Sequence, residues 1–341
     1  MKRCIELAKQ GAGDVAPNPM VGAVLVHDER IIGEGYHQQY GNAHAEVNCI
    51  DSVKKEDEHL ISESTLYVSL EPCAHHGKTP PCADLIIKKQ IPKVVVGCRD
   101  PFIEVDGKGI DKLLAAGIEV QQNVLEKECK ELNKRFFTFH TKHRPYIILK
   151  WAQSSNTKIS SLDNKRIFIS NEFTNRLVHK WRSEEASILV GTNTTLLDDP
   201  ELNVRHWSGA NPIRLLLDMN LRLPQSQKIF NDKSRTIIFN AIKHEEKNNL
   251  LYYQLKNDGG IARQITNTLY QLNIQSVLIE GGAKLLQSFI DEQIWDEARI
   301  IENGELIIEN GVDAASLKNE TLISSENIFS DSINYYQNPN S

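Results

Sequence analysis

The chain has 341 residues, more than one typical hydrophobic core organises, so its length predicts about two domains. A formal net charge of −6 with scattered basic residues weighs against a nucleic-acid partner, because a protein that tracks a phosphate backbone normally carries a basic surface field. Nowhere does an apolar run approach the roughly 20 residues that span a bilayer, so no membrane role is expected.

The N-terminal MKRCIELAKQG predicts an amphipathic helix ending at Gly11. Charged residues interrupt it and no apolar core or cleavage site follows, which points to a cytoplasmic protein. Six cysteines in a chain this long do not make a disulfide scaffold. Cys4, Cys49, Cys98 and Cys129 read as core residues. VGAVLVH (21–27) and IIGEGYH (31–37) predict a hairpin around Asp28-Glu29-Arg30. Next come a helix over 43–53, with His44 and Glu46 in its first turn, a strand over 65–70, a helix over 82–89 and a strand over 93–98. A helical pattern over 125–140 leads to KHRP (142–145), read as a solvated linker, with the domain boundary at Arg144-Pro145.

Within this half, HAEVNCI and LEPCAHHGKTPPCADL supply one imidazole (His44), two thiols (Cys73, Cys82) and a further carboxylate (Glu46). Three such ligands hold Zn²⁺ tetrahedrally with a fourth position left for water, whose pKa the metal lowers toward neutrality. Glu46, two residues from His44, sits close enough to shuttle protons without binding metal. This is the H-x-E, P-C-x-x-C logic of zinc nucleobase deaminases. The spacing departs from it: eight residues (74–81), not two, separate Cys73 from Cys82. The competing reading is a chance cluster of buried cysteines, which the ordered succession of HxE, PC and a second Cys before a helix opposes.

The second half begins with a strand over 146–152, then a helix over 171–183, a strand over 186–191 and the segment TTLLDDPELNVR (194–205). Strands over 213–218 and 235–240, a helix over 262–272 and a strand over 276–280 follow, which implies a mostly parallel sheet. The polar tail after Asn319 reads as partly disordered. No GxGxxG is present. The strand SVLIE, the pair Gly281-Gly282 and the helix after it are either a phosphate-binding turn or a plain tight turn.

PNPMVGAVLV, GEGYH, HAEVNCI, LEPCAHHGKTPPCADLII and RDPF in the first half, with ILKWAQS, ILVGTNTTLLDDPELNVR, NPIRLLLD and IEGGAKLL in the second, resemble the bifunctional riboflavin-biosynthesis deaminase/reductases over residues 1 to about 300. That resemblance implies an α/β fold: a cytidine-deaminase-like α/β/α domain (1–143), then a dihydrofolate-reductase-like α/β domain (144–341). It implies hydrolytic deamination of a diaminopyrimidinone ribosylamine phosphate, then reduction of the ribosyl group of the resulting aminouracil to a ribityl chain, with Zn²⁺ and NADPH as cofactors and a homo-oligomeric state. By matching position it makes His44, Cys73 and Cys82 the zinc ligands and Glu46 the proton shuttle, with Asn18, His37, His76 and Lys78 touching substrate. In the reductase half it implies Lys150 as catalytic, and Arg182, Leu202, Arg205 and Glu280 as substrate contacts. Gln153, Phe168, Thr194, Asp198 and the run Gly282, Ala283, Lys284, Leu285, Leu286, Gln287 and Ser288 take the NADPH positions.

Three departures stand out. Ser155-Asn156-Thr157-Lys158 replaces the usual S-x-D-G-R, Phe168 stands where tryptophan is common, and IIENGELIIENG lacks the usual Pro-rich ending. They leave two alternatives in view: a deaminase whose C-terminal half is a binding module, and a nucleic-acid-editing deaminase, which the acidic balance opposes.

Overall fold

The computed structural model describes residues 1–75, 80–163, 167–256 and 258–340. The chain divides into two compact units, Met1–His143 and Arg144–Ser341.

In the first unit α1 (Lys2–Ala8) precedes the hairpin β1 (Gly22–His27) and β2 (Arg30–Tyr36), whose turn residues Asp28 and Glu29 both take positive φ. Then come α2 (Ala45–Asp51), β3 (Thr65–Leu70), α3 (Cys82–Lys88), β4 (Lys93–Cys98), α4 (Lys108–Ala115), β5 (Glu119–Gln121), α5 (Glu126–Leu132) and α6 (Lys134–Lys142). The sheet order is β2-β1-β3-β4-β5, antiparallel on the β2 side of β3 and parallel beyond it. Parallel strands are covered on both faces and need continuous apolar runs. Val94, Val95, Val96 and Cys98 of β4 are accordingly all buried. Cys4, Cys49, Cys98 and Cys129 are fully buried, as core residues should be.

The helix expected over 125–140 is two helices. Asn133, at φ −111°, breaks it because its buried amide is spent elsewhere: Nδ2 donates to Met20 O and Oδ1 accepts Met20 N–H, both at 2.8 Å. Arg144 is no solvated linker residue. Its guanidinium forks onto the Asp296 carboxylate at 2.5 and 2.7 Å, with a side chain 16% exposed.

The second unit contains β6 (Tyr146–Ser154), β7 (Lys158–Ser161), α7 (Glu172–Glu184), β8 (Ser187–Gly191), α8 (Thr192–Asp198), β9 (Ile213–Leu217), β10 (Thr236–Asn240), β11 (Glu245–Lys247), β12 (Leu250–Gln254), α9 (Ile261–Gln271), β13 (Ser276–Glu280), α10 (Ala283–Asp291), β14 (Glu297–Asn303), β15 (Gly311–Asp313), β16 (Thr321–Ile328) and β17 (Asp331–Gln337). Its large sheet runs β11-β12-β10-β9-β8-β13-β6-β14-β17-β16 and is parallel from β12 through β14. The mostly parallel sheet is therefore as expected, with antiparallel edges. The tail expected to be disordered instead forms β16 and β17. Buried Ile333 and Asp331 anchor β17 against β14, whereas β16 is an exposed edge strand, which explains its polar composition. After β6, Asn156 Oδ1 accepts bonds from Ser154 Oγ and Ile308 N–H and so rebuilds the turn where the motif departs, with Thr157 at φ +60°.

Candidate functional sites

In the first unit, β3 ends at Leu70 and delivers Glu71, Pro72 and Cys73 to the sheet's C-terminal edge, where α/β proteins place chemistry. His44 caps α2, Glu46 lies in its first turn, and Cys82 opens α3. His44 Nδ1 lies 3.5 Å from Cys73 Sγ and 3.4 Å from Cys82 Sγ. Zinc–sulfur and zinc–nitrogen bonds at a tetrahedral angle would set an N···S edge of about 3.6 Å. The three ligand atoms all lie within 4.8 Å of one another, so the donor set fits a single zinc ion. Backbone bonds fix both thiol positions. Cys82 N–H donates to Cys73 Sγ at 3.3 Å, and Ala83 N–H to Cys73 O at 3.1 Å. The neighbouring Cys82 thiol and His44 hold the Cys73 thiol below its ordinary range.

Glu46 is 3% exposed, and burial, reinforced by the Cys73 charge, pushes it up to about 7. A carboxyl at that poise can both take and return a proton near neutrality. His37 Nδ1 faces Ala43 O at 3.0 Å, which assigns the proton to Nδ1 and makes Nε2 the acceptor for Asn18 Nδ2 at 3.1 Å. Burial lowers the His37 pKa, consistent with this neutral tautomer. His76 and Lys78 lie outside the described residues.

Sequence reasoning missed Glu71. Its buried carboxylate accepts four backbone N–H groups, from Asp100 (3.2 Å), Gly107 (3.0 Å), Gly109 (3.0 Å) and Ile110 (3.3 Å). The loop before α4 is thereby clamped against the segment that carries Cys73. Gly109 is required there, since a Cβ would sit 1.8 Å from Pro72 O. Replacing Glu71 by Gln turns an NH₂ group toward donors. We expect Glu71→Gln to cost roughly 2 kcal/mol or more, the desolvation penalty of one or two orphaned amides. A urea-unfolding stability within about 0.5 kcal/mol of wild type would contradict this clamp.

In the second unit, a cavity of about 920 Å³ opens at the C-terminal ends of the parallel strands. Register pairs Lys150 on β6 with Glu280 on β13. Lys150 Nζ lies 3.6 Å from Glu280 Oε2, and Arg182, from α7, forks onto the same carboxylate at 2.8 and 2.7 Å. Burial opposes ionisation of Glu280, but Arg182 and Lys150 outweigh it and hold the pKa down to about 2. Burial also lowers the Lys150 pKa. One carboxylate between two cations leaves the cluster with net positive charge, suited to an anionic or oxygen-rich ligand.

Beyond Glu280 the chain turns through Gly281 (φ +106°) and Gly282 (φ +77°) into α10, and a Cβ on Gly281 would come within 3.2 Å of Thr194 Oγ1. A bare backbone and a helix N-terminus there offer the kind of N–H donors that suit an anion. Phe168, Thr194, Asp198, Leu202 and Gly282–Leu285 with Ser288 line the cavity. Gln153, Leu286, Gln287 and Arg205 are not among its lining residues. Gln153 bonds Trp151 Nε1 and Glu302, Leu286 is fully buried in the core, and Gln287 bonds Ser316 and Asp291. Arg205 has a side chain 54% exposed, 4.0 Å from Glu201. Its backbone N–H is held by His179 Nδ1 at 3.1 Å, a contact the sequence did not disclose.

Comparison with known proteins agrees with this division. Residues 1–98 match the cytidine and deoxycytidylate deaminase zinc-binding region, and residues 145–303 match the RibD C-terminal domain. The riboflavin biosynthesis protein RibD of Aquifex aeolicus is 40% identical over 301 residues, covering 87% of this chain and 83% of that one. That of Actinobacillus pleuropneumoniae is 36% identical, covering 86% and 80%. The crystal structure of a diaminohydroxyphosphoribosylaminopyrimidine deaminase/5-amino-6-(5-phosphoribosylamino)uracil reductase from Thermotoga maritima superposes with a TM-score of 0.89 at 37% identity, over 99% of this chain and 97% of that one. Acinetobacter baumannii RibD gives 0.89 at 31% identity, over 98% and 97%.

Proposed function

The chain belongs to the RibD family of bifunctional riboflavin-biosynthesis deaminase/reductases, and from that premise we propose which of its own groups carry each reaction. It is a zinc-dependent deaminase and an NADPH-dependent reductase. We assign deamination to residues 1–143 and reduction to residues 144–341. The substrates we propose are 2,5-diamino-6-(5-phosphoribosylamino)pyrimidin-4(3H)-one for the first and 5-amino-6-(5-phosphoribosylamino)uracil for the second.

The observation that carries the first assignment is the convergence of His44, Cys73 and Cys82 beside a buried Glu46. Zinc held by those three ligands supplies Lewis acidity at neutral pH. Glu46 takes the proton from the attacking water oxygen and delivers it to the amino nitrogen that leaves as ammonia. Asn18, anchored through His37, keeps its Oδ1 for a pyrimidine N–H. Cys73→Ser is expected to lose bound zinc on metal analysis; a variant with full zinc content would remove Cys73 from the ligand set.

In the second unit NADPH supplies the hydride. The Gly281-Gly282 turn and the start of α10 receive its phosphates, and Lys150 donates from Nζ to a sugar oxygen. Glu280 holds Lys150 and Arg182 in place. Leu202, on the cavity wall, completes the substrate side. Incubating the purified chain with the diaminopyrimidinone, with and without NADPH, tests both halves by mass spectrometry. Exchange of an amino group for oxygen should occur without NADPH, and gain of two hydrogens only with it.

Among the described residues no helix is long and apolar enough to cross a membrane. Six unpaired cysteines suit the reducing cytoplasm, where we place the protein. A small-molecule substrate, rather than nucleic acid, fits the net charge of −6. We also propose a homo-oligomer. The open edge of β16 with exposed Leu322, Ile323 and Phe329 supports it, and light scattering on the eluting protein tests it.

A further inference from the structure

Between α8 and β9 the chain takes no helix or strand, yet Pro200 and Leu202 of this segment line the cavity. Leu202 stands at φ +52°, a left-handed conformation that a residue with a side chain keeps only when its surroundings over-determine it. Its side chain packs into the core with Val190 and Leu216, which holds one end of the segment. The other end is held by α7.

His179 and Arg182, three positions apart, share one face of α7, and each bonds the main chain of the segment. Arg205 N–H donates to His179 Nδ1 at 3.1 Å, and Arg182 Nη1 donates to Asn203 O at 3.4 Å. Arg182 is also forked onto Glu280, which in turn holds Lys150. Residues 203–205 are thus joined to the Lys150–Glu280 pair through Arg182, and the shorter of the two bonds that keep them in register is the one to His179.

That bond requires a neutral ring. A backbone N–H can only donate, so Nδ1 is the acceptor and the imidazole proton sits on Nε2. The ring is 5% exposed and faces Arg182 on its own helix, Arg205 and His206 on the segment, and Glu280 on β13. Burial, then the nearby cations, hold its pKa down to about 4 against the opposing pull of Glu280. We propose that His179 is a positioning residue for reduction: its imidazole pins residues 203–205 to α7 and so sets Arg182 and Leu202 where the substrate binds. This rests on the reading of the Lys150–Glu280–Arg182 cluster as the substrate side of the reductase.

Two substitutions in the full chain separate an acceptor from a space-filler. His179→Leu keeps the bulk and removes the acceptor, whereas His179→Asn loses bulk but places Oδ1, bonded to Cγ as Nδ1 is, where the Arg205 N–H can still find it. In steady-state reduction of the aminouracil substrate, His179→Leu should raise its KM about tenfold, as expected for a lost hydrogen bond that leaves a partly buried amide unpaired. The KM for NADPH should stay within about twofold and kcat within about threefold, with deamination unchanged. His179→Asn should keep the aminouracil KM within about threefold of wild type. Should His179→Leu fail to fold in a thermal melt, His179→Gln, whose Oε1 lies one bond farther out, takes its place with the same expected rise. Wild-type KM in His179→Leu with an impaired His179→Asn, or equal losses toward both substrates, would overturn the proposal. Lys150→Ala protein that reduces normally would overturn the site reading, and this inference with it. Impaired Lys150→Ala beside an unimpaired His179→Leu would overturn this inference alone.

Discussion

Glu46→Gln should keep its zinc and lose nearly all ammonia release. The amide preserves the size of the side chain and is not one of the three ligands, so metal content should match wild type. What it cannot do is accept a proton from water and return it to the leaving nitrogen, and general acid–base groups contribute about 10²–10⁴-fold. The burial that holds Glu46 near 7 also keeps bulk water from acting as a substitute. Reduction of separately prepared deaminated substrate should survive, because Glu46 belongs to the first unit and Lys150 and Glu280 to the second. Loss of both activities in a folded, zinc-replete variant would contradict independent sites.

Lys150→Ala should do the reverse: normal deamination, with reduction falling by about 10²-fold or more in kcat/KM, as expected on removing one preorganised donor at a developing charge. The second unit makes this substitution clean. Glu280 remains forked by Arg182 at 2.8 and 2.7 Å, so no unpaired buried charge is left behind and the melting temperature should change little. If Lys150 were only a structural ion-pair partner, stability would drop more than turnover. A kcat/KM within about threefold of wild type, well under 1 kcal/mol in transition-state binding, would remove Lys150 from the chemistry.

The deaminase centre was legible because its ligands follow one another at short spacing. His44 and Glu46 share one helical turn, and Cys73 and Cys82 bracket one loop. The second centre was not legible in that way. Lys150, Arg182 and Glu280 come from β6, α7 and β13 and meet only through strand register and helix packing, so resemblance rather than spacing pointed to them. Glu71 escaped entirely, because a carboxylate that accepts four main-chain amides has no sequence signature. Element errors followed the same rule. The break at Asn133 depends on a partner 113 positions earlier, and polar β16 passes for coil because an edge strand needs little burial. Composition reports local preference, and these features depend on distant neighbours.

The clamp around Cys73 also bears on how such a centre can diversify. Cys73 is held at one end by the Glu71-anchored segment and by Ala83 N–H, and Cys82 is built into the first turn of α3. Both stems of the eight-residue insert are thus fixed by backbone bonds that do not involve the insert itself. Lengthening a closed loop from two residues to eight adds only about 1.2 kcal/mol of closure entropy, two doublings at about 0.6 each. The spacing between Cys73 and Cys82 can therefore change while His44, Glu46 and the two thiols keep their places, because what fixes them lies outside the loop.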